Sequence, residues 1–464
     1  MAVSRGHFSS RLGFILAAAG SAVGLGNIWK FPFEVGSGGG AAFVVMYLGF
    51  CFLLCFPVMT AEIAIGRRTQ RNAVGAFKAL NKPRWAFIGF LGLASGLLIL
   101  SFYNVVAGWA FGYVIEMIMG NFDIGSQFGD FIKDWMKIGL YGIVFMGATA
   151  FIVSQGVQKG IEKAAKFLMP TLIILMILLS TYAMTLEGAM RGIEFYLIPD
   201  FSKINGQVVY SALGQAFFSL SLGMGALITY GSYLSKEQNI VQSAALITLM
   251  DVGIAFLAGL MLFPLVFSQG LEPTGGPGLI FVTLPGVFRD LGPNIGIIIG
   301  TLFFTLLSFA ALTSTVSLLE VPVAYVVDEH KVPRKRAVWL TATLIFLIGI
   351  PSLLSNGASS ILTNFIDVIG LAREGATDNS FMTLVAWIAN DTFLPLGGML
   401  ISIFAAYIWK KENLSAELSI GNEGYAGSFL ERFINFSISY LAPVVLSVIF
   451  LLTLLSKFFG IDLI

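Results

Sequence analysis

Two otherwise apolar segments of this chain, each long enough to cross a membrane, contain glycine pairs beside polar side chains. The first carries Gly24-Leu25-Gly26 followed by Asn27, and the second carries Ser219 and Ser221 followed by Gly223-Met224-Gly225. Hydrocarbon offers no partner for freed backbone groups, so a helix is interrupted at membrane depth only where it lines a cavity. Freed carbonyls and hydroxyls suit a hard cation, and freed amides suit a carboxylate. The matched pair therefore predicts the binding site of a secondary transporter.

The composition is that of an integral membrane protein. Of 464 residues, 57% are hydrophobic and 11% are charged, whereas soluble domains carry roughly 25% charged residues. A net charge of +1 without a basic tail gives no indication of nucleic-acid binding. Only two histidines occur, and no nucleophile–base pair or phosphate-binding loop is present. These absences argue against an enzyme and against an ATP-driven pump.

Hydrophobic patterning predicts eleven membrane spans within a single integral domain, residues 1–464. The spans lie at about 12–35, 41–66, 86–118, 138–155, 162–185, 207–233, 240–270, 294–327, 334–353, 381–409 and 432–458, each long enough for a hydrocarbon core of ~30 Å. Most of the 27 Lys and Arg residues fall in loops on the side of the N-terminus. Because positive charge marks the cytoplasmic side, we expect a multi-pass protein of the cell inner (plasma) membrane with a cytoplasmic N-terminus.

Span 8 carries a polar stripe, and two other spans carry carboxylates. Ala310, Thr313, Ser314 and Ser317 share one face of span 8, at spacings of three and four residues. Their hydroxyls either bond back to the preceding helical turn or, with the carbonyls of span 1, form a Na⁺ site. Asp251 within span 7 indicates an ion or substrate path, since a carboxylate inside a span is costly.

Glu62, near the end of span 2, has two interpretations. It either belongs to a functional path through the membrane or only neutralises Arg67 or Arg68. Cys51 and Cys55 are four residues apart on one face of the same span, and we interpret them as core cysteines.

Long motifs of this chain occur in the same order in the sodium symporter family of amino-acid and neurotransmitter transporters, which the chain resembles. They are residues 11–32, 38–40, 196–202, 217–233, 278–285, 310–317 and 394–398. The resemblance implies an inverted repeat in which 12–185 form the first half, 207–409 form the second half and 432–458 add a further helix. It also implies a monomer or weak homodimer in the lipid bilayer.

The resemblance further implies two Na⁺ sites and a substrate site. The first Na⁺ site comprises Ala22, Asn27, Ser219 and Asp251, and the second comprises Gly20, Val23, Ala310, Thr313 and Ser314. The substrate site comprises Ala22, Gly24, Gly26, Ile99, Tyr103, Phe218, Ser219, Ser221, Met224, Ser314 and Leu318. Tyr103 is expected to bond the substrate carboxylate, and Phe218 is expected to close the outer lid.

Gating residues follow from the same resemblance. Arg5, Tyr233 and Asp328 are expected at the cytoplasmic gate, and Glu62 is expected to brace the broken backbone of spans 1 and 6. Lys30 is expected at the outer gate.

At the outer gate this chain departs from the family pattern. Lys30 stands where the family carries an Arg, and a Lys lacks the two-pronged hydrogen bonding of a guanidinium. The acid that faces the Arg in the family would fall near Ala386, and Asp367 is a candidate replacement.

A second departure concerns chloride. Asp251 replaces the Asn of chloride-dependent members, and Ala255 stands one turn later in place of a hydroxyl. We expect the Asp251 carboxylate to supply the negative charge that bound chloride supplies elsewhere, so that transport needs no chloride.

These features predict Na⁺-coupled uptake of a neutral, hydrophobic or aromatic L-amino acid by alternating access. Two alternatives remain at this point. A Na⁺-independent amino-acid exchanger of the same fold would need a cationic side chain at the second ion site, where Thr313 and Ser314 stand instead. A non-transporting amino-acid sensor would bind ligand without moving it.

Overall fold

The computed structural model is helical throughout the residues that it describes, which are 6–271, 278–372, 378–461 and 463. No β-strand occurs among these residues. Within the described residues, nine helices are long and apolar enough to cross a membrane, and Arg11–Ala22 with Gly26–Ser37 forms a further span bent by 52°. Span 6 consists of two shorter helices, Gly206–Ser219 and Ala226–Gly231. The structure confirms the all-α fold with broken first and sixth spans.

The nine continuous helices correspond to spans 2–5 and 7–11. Their bounds are Ala41–Thr69, Pro83–Ile118, Trp135–Ser154, Val157–Met184, Ile240–Ser268, Pro293–His330, Arg334–Leu354, Phe381–Ile408 and Phe429–Phe459. Shorter helices occupy the connections at Ala73–Ala79, Phe128–Lys133, Ala189–Leu197, Leu284–Asp290, Ser360–Thr363, Phe365–Val368 and Lys411–Ser419.

The break in span 6 follows from its backbone conformation. Ser221, Gly223 and Gly225 have φ values of +54°, +80° and +74°. This left-handed region cannot continue a right-handed helix, and glycine enters it without the penalty of a Cβ atom. A methyl group on Gly223 would also overlap the Leu394 carbonyl of span 10. The chain therefore turns here while lying directly against span 10.

Spans 2 and 6 approach each other through glycine. A methyl group on Gly66 would overlap the Ile228 carbonyl, and one on Gly231 would lie 2.6 Å from the Ile63 carbonyl oxygen. The second half of span 6 is therefore packed backbone to backbone on span 2. Spans 3 and 8 form another extensive helix contact alongside this pair.

A buried arginine joins three segments that are distant in sequence, and we name this group the Arg67 cluster. The Arg67 side chain is fully buried, and its Nε lies 2.7 Å from Glu417 Oε1. Its Nη1 donates to the Gln238 carbonyl at 2.5 Å, and its Nη2 donates to the Glu417 carbonyl. The helix Lys411–Ser419, which follows span 10, is thereby fixed to the end of span 2 and to the loop after span 6.

The Arg67 cluster generates a stability prediction. We expect Glu417→Gln to destabilise the protein by ~3 kcal/mol, because it leaves the Arg67 guanidinium buried without a counter-charge. Arg67→Gln should act in the same direction, because only the exposed Arg68 then faces the Glu417 carboxylate. The double variant Arg67→Met/Glu417→Met should lose less than either single variant, since no unpaired charge remains. Thermal unfolding in detergent measures both effects.

Arg68→Gln is the matched control for this prediction. The Arg68 side chain is 60% exposed, and its Nη1 lies 3.7 Å from Glu417 Oε2, so its loss should change the unfolding temperature little. Equal losses in the Arg67→Gln and Arg68→Gln variants would contradict the role of the cluster.

Candidate functional site

The break in span 1 releases backbone groups that specific side chains engage. The Leu25 amide donates to the Tyr103 hydroxyl at 2.8 Å, and the Gly24 amide donates to Asn27 Oδ1 at 3.0 Å. Gln215 of span 6 donates through Nε2 to the Gly26 carbonyl at 2.8 Å. Spans 3 and 6 thus hold the interruption open at membrane depth, where water cannot satisfy these groups.

A carboxylate cluster lies behind the break and consists of Asn27, Tyr47, Ser219 and Asp251. Asn27 Nδ2 donates to Asp251 Oδ1 at 2.7 Å and to Ser219 Oγ at 3.0 Å. Asp251 Oδ2 accepts from Ser219 Oγ at 2.8 Å and from the Tyr47 hydroxyl at 3.3 Å. Asp251 is fully buried, and the side chains that bond it here are neutral. A carboxylate in this setting could hold a monovalent cation.

A second oxygen-rich group joins spans 1 and 8. Thr313 Oγ1 donates to the Val23 carbonyl at 3.3 Å, and Ser314 Oγ donates to the same carbonyl at 3.2 Å. Thr313 Oγ1 also lies 2.9 Å from the Ala310 carbonyl. Gly20 approaches so closely that a methyl group on it would lie 3.3 Å from Thr313 Cβ. The five residues of the second predicted ion site therefore lie together, and their carbonyls and hydroxyls could hold Na⁺.

A cavity lies between the breaks of spans 1 and 6. Its lining residues are Ser21, Ala22, Gly24, Gly26, Ile99, Tyr103, Phe218, Ser221, Met224, Ser314 and Leu318. Ten of these are the residues predicted for the substrate. The eleventh predicted residue, Ser219, lies beside the cavity in the carboxylate cluster, and Ser21 lines the cavity in its place.

The cavity wall presents both polar and apolar groups. The Tyr103 hydroxyl accepts from the Leu25 amide at 2.8 Å and lines the cavity together with Ser314. Ser221 Oγ donates to the Ser21 carbonyl at 2.9 Å. A methyl group on Gly24 would overlap Ser314 Oγ and lie 2.7 Å from the Tyr103 hydroxyl. Ser314 and Tyr103 can therefore lie this close to the backbone of span 1 only because Gly24 lacks a side chain.

Phe218 separates this cavity from a larger one of about 770 Å³, which we name the vestibule. Lys30 Nζ lies 4.9 Å above the centre of the Phe218 ring, within the range of a cation–π contact. Asp391 lines the vestibule together with Lys30, five residues after the position near Ala386 that the sequence indicated. Asp367 lies elsewhere and accepts from Asn379 Nδ2 at 3.0 Å.

Another group of polar contacts lies on the side of the chain's N-terminus. The Tyr233 hydroxyl donates to Glu320 Oε1 at 2.6 Å, and Arg334 Nη2 donates to Glu320 Oε2 at 2.5 Å. Asp328 Oδ2 accepts from the Asn72 amide and side chain, both at 3.2 Å. Arg5, the expected partner of Asp328, lies outside the described residues.

Glu62 contacts the break in span 6. The Gly223 amide donates to Glu62 Oε1 at 2.7 Å, and the Glu62 side chain is fully buried. Because Arg67 and Arg68 both lie beside Glu417 instead, the alternative in which Glu62 only neutralises Arg67 or Arg68 does not match the observed contacts.

Four residues of these clusters were missed from the sequence as site residues: Tyr47, Gln215, Glu320 and Asp391. Glu320 pairs with Arg334, which lies beyond the end of the helix that carries Glu320, so the spacing along the helix gives no sign of the pair. Asp391 stands on span 10, five residues after the position near Ala386 where the sequence placed this acid. Gln215 stands on the face of span 6 one turn before Ser219, and that spacing was a usable signal. Nothing in the sequence distinguishes Tyr47 from an ordinary core tyrosine.

Broken first and sixth spans around a buried cavity with adjoining cation-binding groups define a secondary transporter of the inverted-repeat class. The model of the Sodium:neurotransmitter symporter family matches residues 5–126 and 127–458. The chain therefore belongs to that family, a family of transporters in which sodium drives symport.

Relatives match along nearly the whole chain. The sodium-dependent transporter YhdH of Bacillus subtilis is 38% identical over 456 residues, which cover 96% of each chain. A sodium-dependent transporter of Haemophilus influenzae is 35% identical over 462 residues, covering 96% of this chain and 97% of the relative. The crystal structure of MhsT in complex with L-phenylalanine matches with a TM-score of 0.86 and 44% identity, covering 97% of this chain and 99% of that one.

Tyr47 provides a test of the carboxylate cluster. We expect Tyr47→Phe to raise about fivefold the sodium concentration that gives half-maximal thermal stabilisation, because one buried hydrogen bond contributes ~1 kcal/mol. Titration of the unfolding temperature with sodium at constant ionic strength measures this shift.

Tyr407→Phe is the control for that titration. The Tyr407 hydroxyl donates to the Ser439 carbonyl at 2.6 Å, between spans 10 and 11. Its loss should leave the sodium requirement unchanged. If the Tyr47→Phe variant needed the same sodium concentration for half-maximal stabilisation, the carboxylate cluster would not be a sodium site that depends on Tyr47.

Proposed function

We propose that this protein takes up a neutral, hydrophobic or aromatic L-amino acid by sodium-coupled alternating access. One observation carries the proposal: the cavity between the two breaks adjoins both cation-binding groups, and none of its eleven lining residues is charged. A zwitterion fits such a cavity because backbone dipoles and sodium can neutralise its two charged ends.

The cavity wall suggests how the amino acid is oriented. The Tyr103 hydroxyl and the freed amides of span 1 suit the carboxylate, while the freed carbonyls of spans 1 and 6 suit the ammonium group. Ile99, Phe218, Met224 and Leu318 form the apolar wall around the remaining space. The related transporter MhsT was crystallised with L-phenylalanine, which supports a large apolar side chain.

Two sodium ions account for the two oxygen-rich groups. The first ion would be held by Ala22, Asn27, Ser219 and Asp251, and the second by Gly20, Val23, Ala310, Thr313 and Ser314. Each charge that crosses the full membrane potential contributes ~2.3 kcal/mol per 100 mV. Two ions therefore suffice for strong accumulation of substrate.

We further propose that transport needs no chloride. The buried Asp251 carboxylate already places one negative charge beside the first ion site, and its observed bonds come from neutral groups. A bound chloride next to it would add a second negative charge that no partner in the cluster compensates.

Alternating access requires a barrier on each side of the cavity. With the N-terminus in the cytoplasm, Phe218 and Lys30 close the outer side, while Tyr233, Glu320 and Arg334 close the inner side. Arg5 and Asp328 would add a further inner contact. Each transporting unit is one chain, working as a monomer or in a weak homodimer.

Uptake by proteoliposomes tests this function. We expect labelled L-phenylalanine to accumulate with an inward sodium gradient, equally in chloride and in gluconate, and not with potassium in place of sodium. Uptake without sodium, or only by exchange for internal amino acid, would indicate the exchanger. Binding without any flux would indicate a sensor.

Asp251→Asn tests the charge argument. The substitution preserves size but removes the negative charge beside the first ion site, so we expect sodium-driven uptake in gluconate to fall at least tenfold, as for loss of a buried charge contact. The conservative variant Thr248→Ser, one turn earlier on span 7, should retain uptake, because the Thr248 hydroxyl contacts only Met59 Sδ at 3.8 Å. Full uptake by Asp251→Asn would refute the argument.

A further inference from the structure

Ser21 lines the cavity, although the sequence did not predict it, and its hydroxyl bonds to another span. Ser21 Oγ donates to Ser317 Oγ of span 8 at 2.8 Å, and Ser317 Oγ donates to the Ser314 carbonyl at 2.8 Å. Ser21 and Ser317 are 2% and 1% exposed. Their bond joins a side chain of span 1 directly to a side chain of span 8, and we name the two residues the serine pair.

The serine pair lies where the first half of span 1 ends. The helix Arg11–Ala22 stops there, and Val23 has an extended conformation with a φ of −69° and a ψ of 112°. The last carbonyls of a helix have no partner within that helix. Here the Ser21 carbonyl accepts from Ser221 Oγ of span 6 at 2.9 Å, and the Val23 carbonyl accepts from hydroxyls of span 8. Ser21 is therefore two residues from a carbonyl of the second predicted ion site.

The contacts of the Val23 carbonyl with span 8 use the same atoms that a cation would need. Thr313 Oγ1 and Ser314 Oγ lie 3.3 Å and 3.2 Å from the Val23 oxygen. Because a carbonyl is only an acceptor, each of these contacts uses the proton of the hydroxyl. A sodium ion is bound through the lone pairs of oxygen atoms. These contacts are therefore exchanged for the ion when it binds, and they do not persist beside it.

The bond of the serine pair uses none of those atoms. It runs between Ser21 Oγ and Ser317 Oγ, and neither residue belongs to the five of the second predicted ion site. Ser317 stands four residues after Thr313, on the same face of span 8. Gly20, next to Ser21, packs so closely on Thr313 that a methyl group on it would lie 3.3 Å from Thr313 Cβ. The pair thus joins spans 1 and 8 directly beside the ion-binding oxygens.

We propose that Ser21 and Ser317 are positioning residues of the second sodium site. Their bond fixes the spacing of spans 1 and 8 beside the Val23 carbonyl, with or without the ion, so that sodium meets oxygens that are already in place. Preorganised groups bind more tightly, because less order has to be created on binding. This inference rests on the two-sodium mechanism of the proposed function, and it adds two residues that are not themselves ligands of the ion.

The sodium midpoint of the purified full-length protein, which is the sodium concentration that gives half-maximal thermal stabilisation, tests this role. We expect Ser21→Ala and Ser317→Ala each to raise the midpoint about fivefold, the range for one buried hydrogen bond. The double variant Ser21→Ala/Ser317→Ala should show the same shift as each single variant, because all three lack the same bond. The titration is made at constant ionic strength and without substrate.

Thr149→Val is the matched control for the serine variants. Thr149 Oγ1 lies 2.8 Å from Thr315 Oγ1, and both residues are fully buried. This hydroxyl pair has the same length as the serine pair and also involves span 8, but it joins that span to span 4. Its loss should leave the sodium midpoint unchanged, whatever it does to the unfolding temperature in potassium.

Thr313→Val assigns the effect to the second ion site. This substitution preserves size but removes a hydroxyl of the ion-binding group, so it should raise the sodium midpoint. In the Thr313→Val background, Ser21→Ala should cause no further shift, because the group that the serine pair positions is no longer complete.

Three results would overturn the inference: an unchanged midpoint in either serine variant, an equal shift in Thr149→Val, or a further fivefold shift by Ser21→Ala in the Thr313→Val background. If Thr313→Val itself leaves the midpoint unchanged, the second sodium site of the proposed function fails, and the inference fails with it. If Thr313→Val raises the midpoint but the serine variants do not, only the role of the serine pair fails.

Discussion

A backbone group freed from a helix inside hydrocarbon must find its partner within the protein, and this site depends on that constraint. Here side chains from other spans supply the partners. Tyr103 of span 3 takes the Leu25 amide, Gln215 of span 6 takes the Gly26 carbonyl, and Glu62 of span 2 takes the Gly223 amide. Each break is therefore stabilised by a span that is itself unbroken or broken elsewhere. The cavity exists because these bonds replace the backbone hydrogen bonds that spans 1 and 6 would make as continuous helices.

The same constraint shapes the electrostatics of the cation-binding groups. Burying a carboxylate is costly, and hydrogen bonds from neutral donors offset only part of that cost. Asp251 receives such bonds from Asn27, Ser219 and Tyr47. Under the proposed mechanism, the remaining cost is met by the ion that is transported. When the ion leaves, the carboxylate keeps only these hydrogen bonds from neutral donors.

Much of this arrangement could be predicted from the sequence, for identifiable physical reasons. The Gly-x-Gly steps beside polar side chains marked both breaks, and the three- and four-residue spacings of span 8 placed Thr313 and Ser314 on the face that meets Val23. The role of Tyr47 could not be predicted, because its neighbours in the sequence are apolar and only the fold brings its hydroxyl to Asp251. Its contribution to the carboxylate cluster depends on the distance between its hydroxyl and Asp251, and the residue type alone does not give that distance.

The Arg67 cluster has a consequence for how the chain is assembled. Arg67 and Glu417 are separated by 350 residues, and eight further spans are synthesised between them. Until Glu417 has emerged, the guanidinium at the end of span 2 cannot be buried and must remain at the membrane surface in contact with water or lipid headgroups. Span 2 therefore cannot reach its final depth and packing during synthesis of the first repeat. The site can form only after the last part of the chain has been synthesised. In a nascent chain that lacks span 10, the early helices are therefore not yet packed as they are in the complete protein.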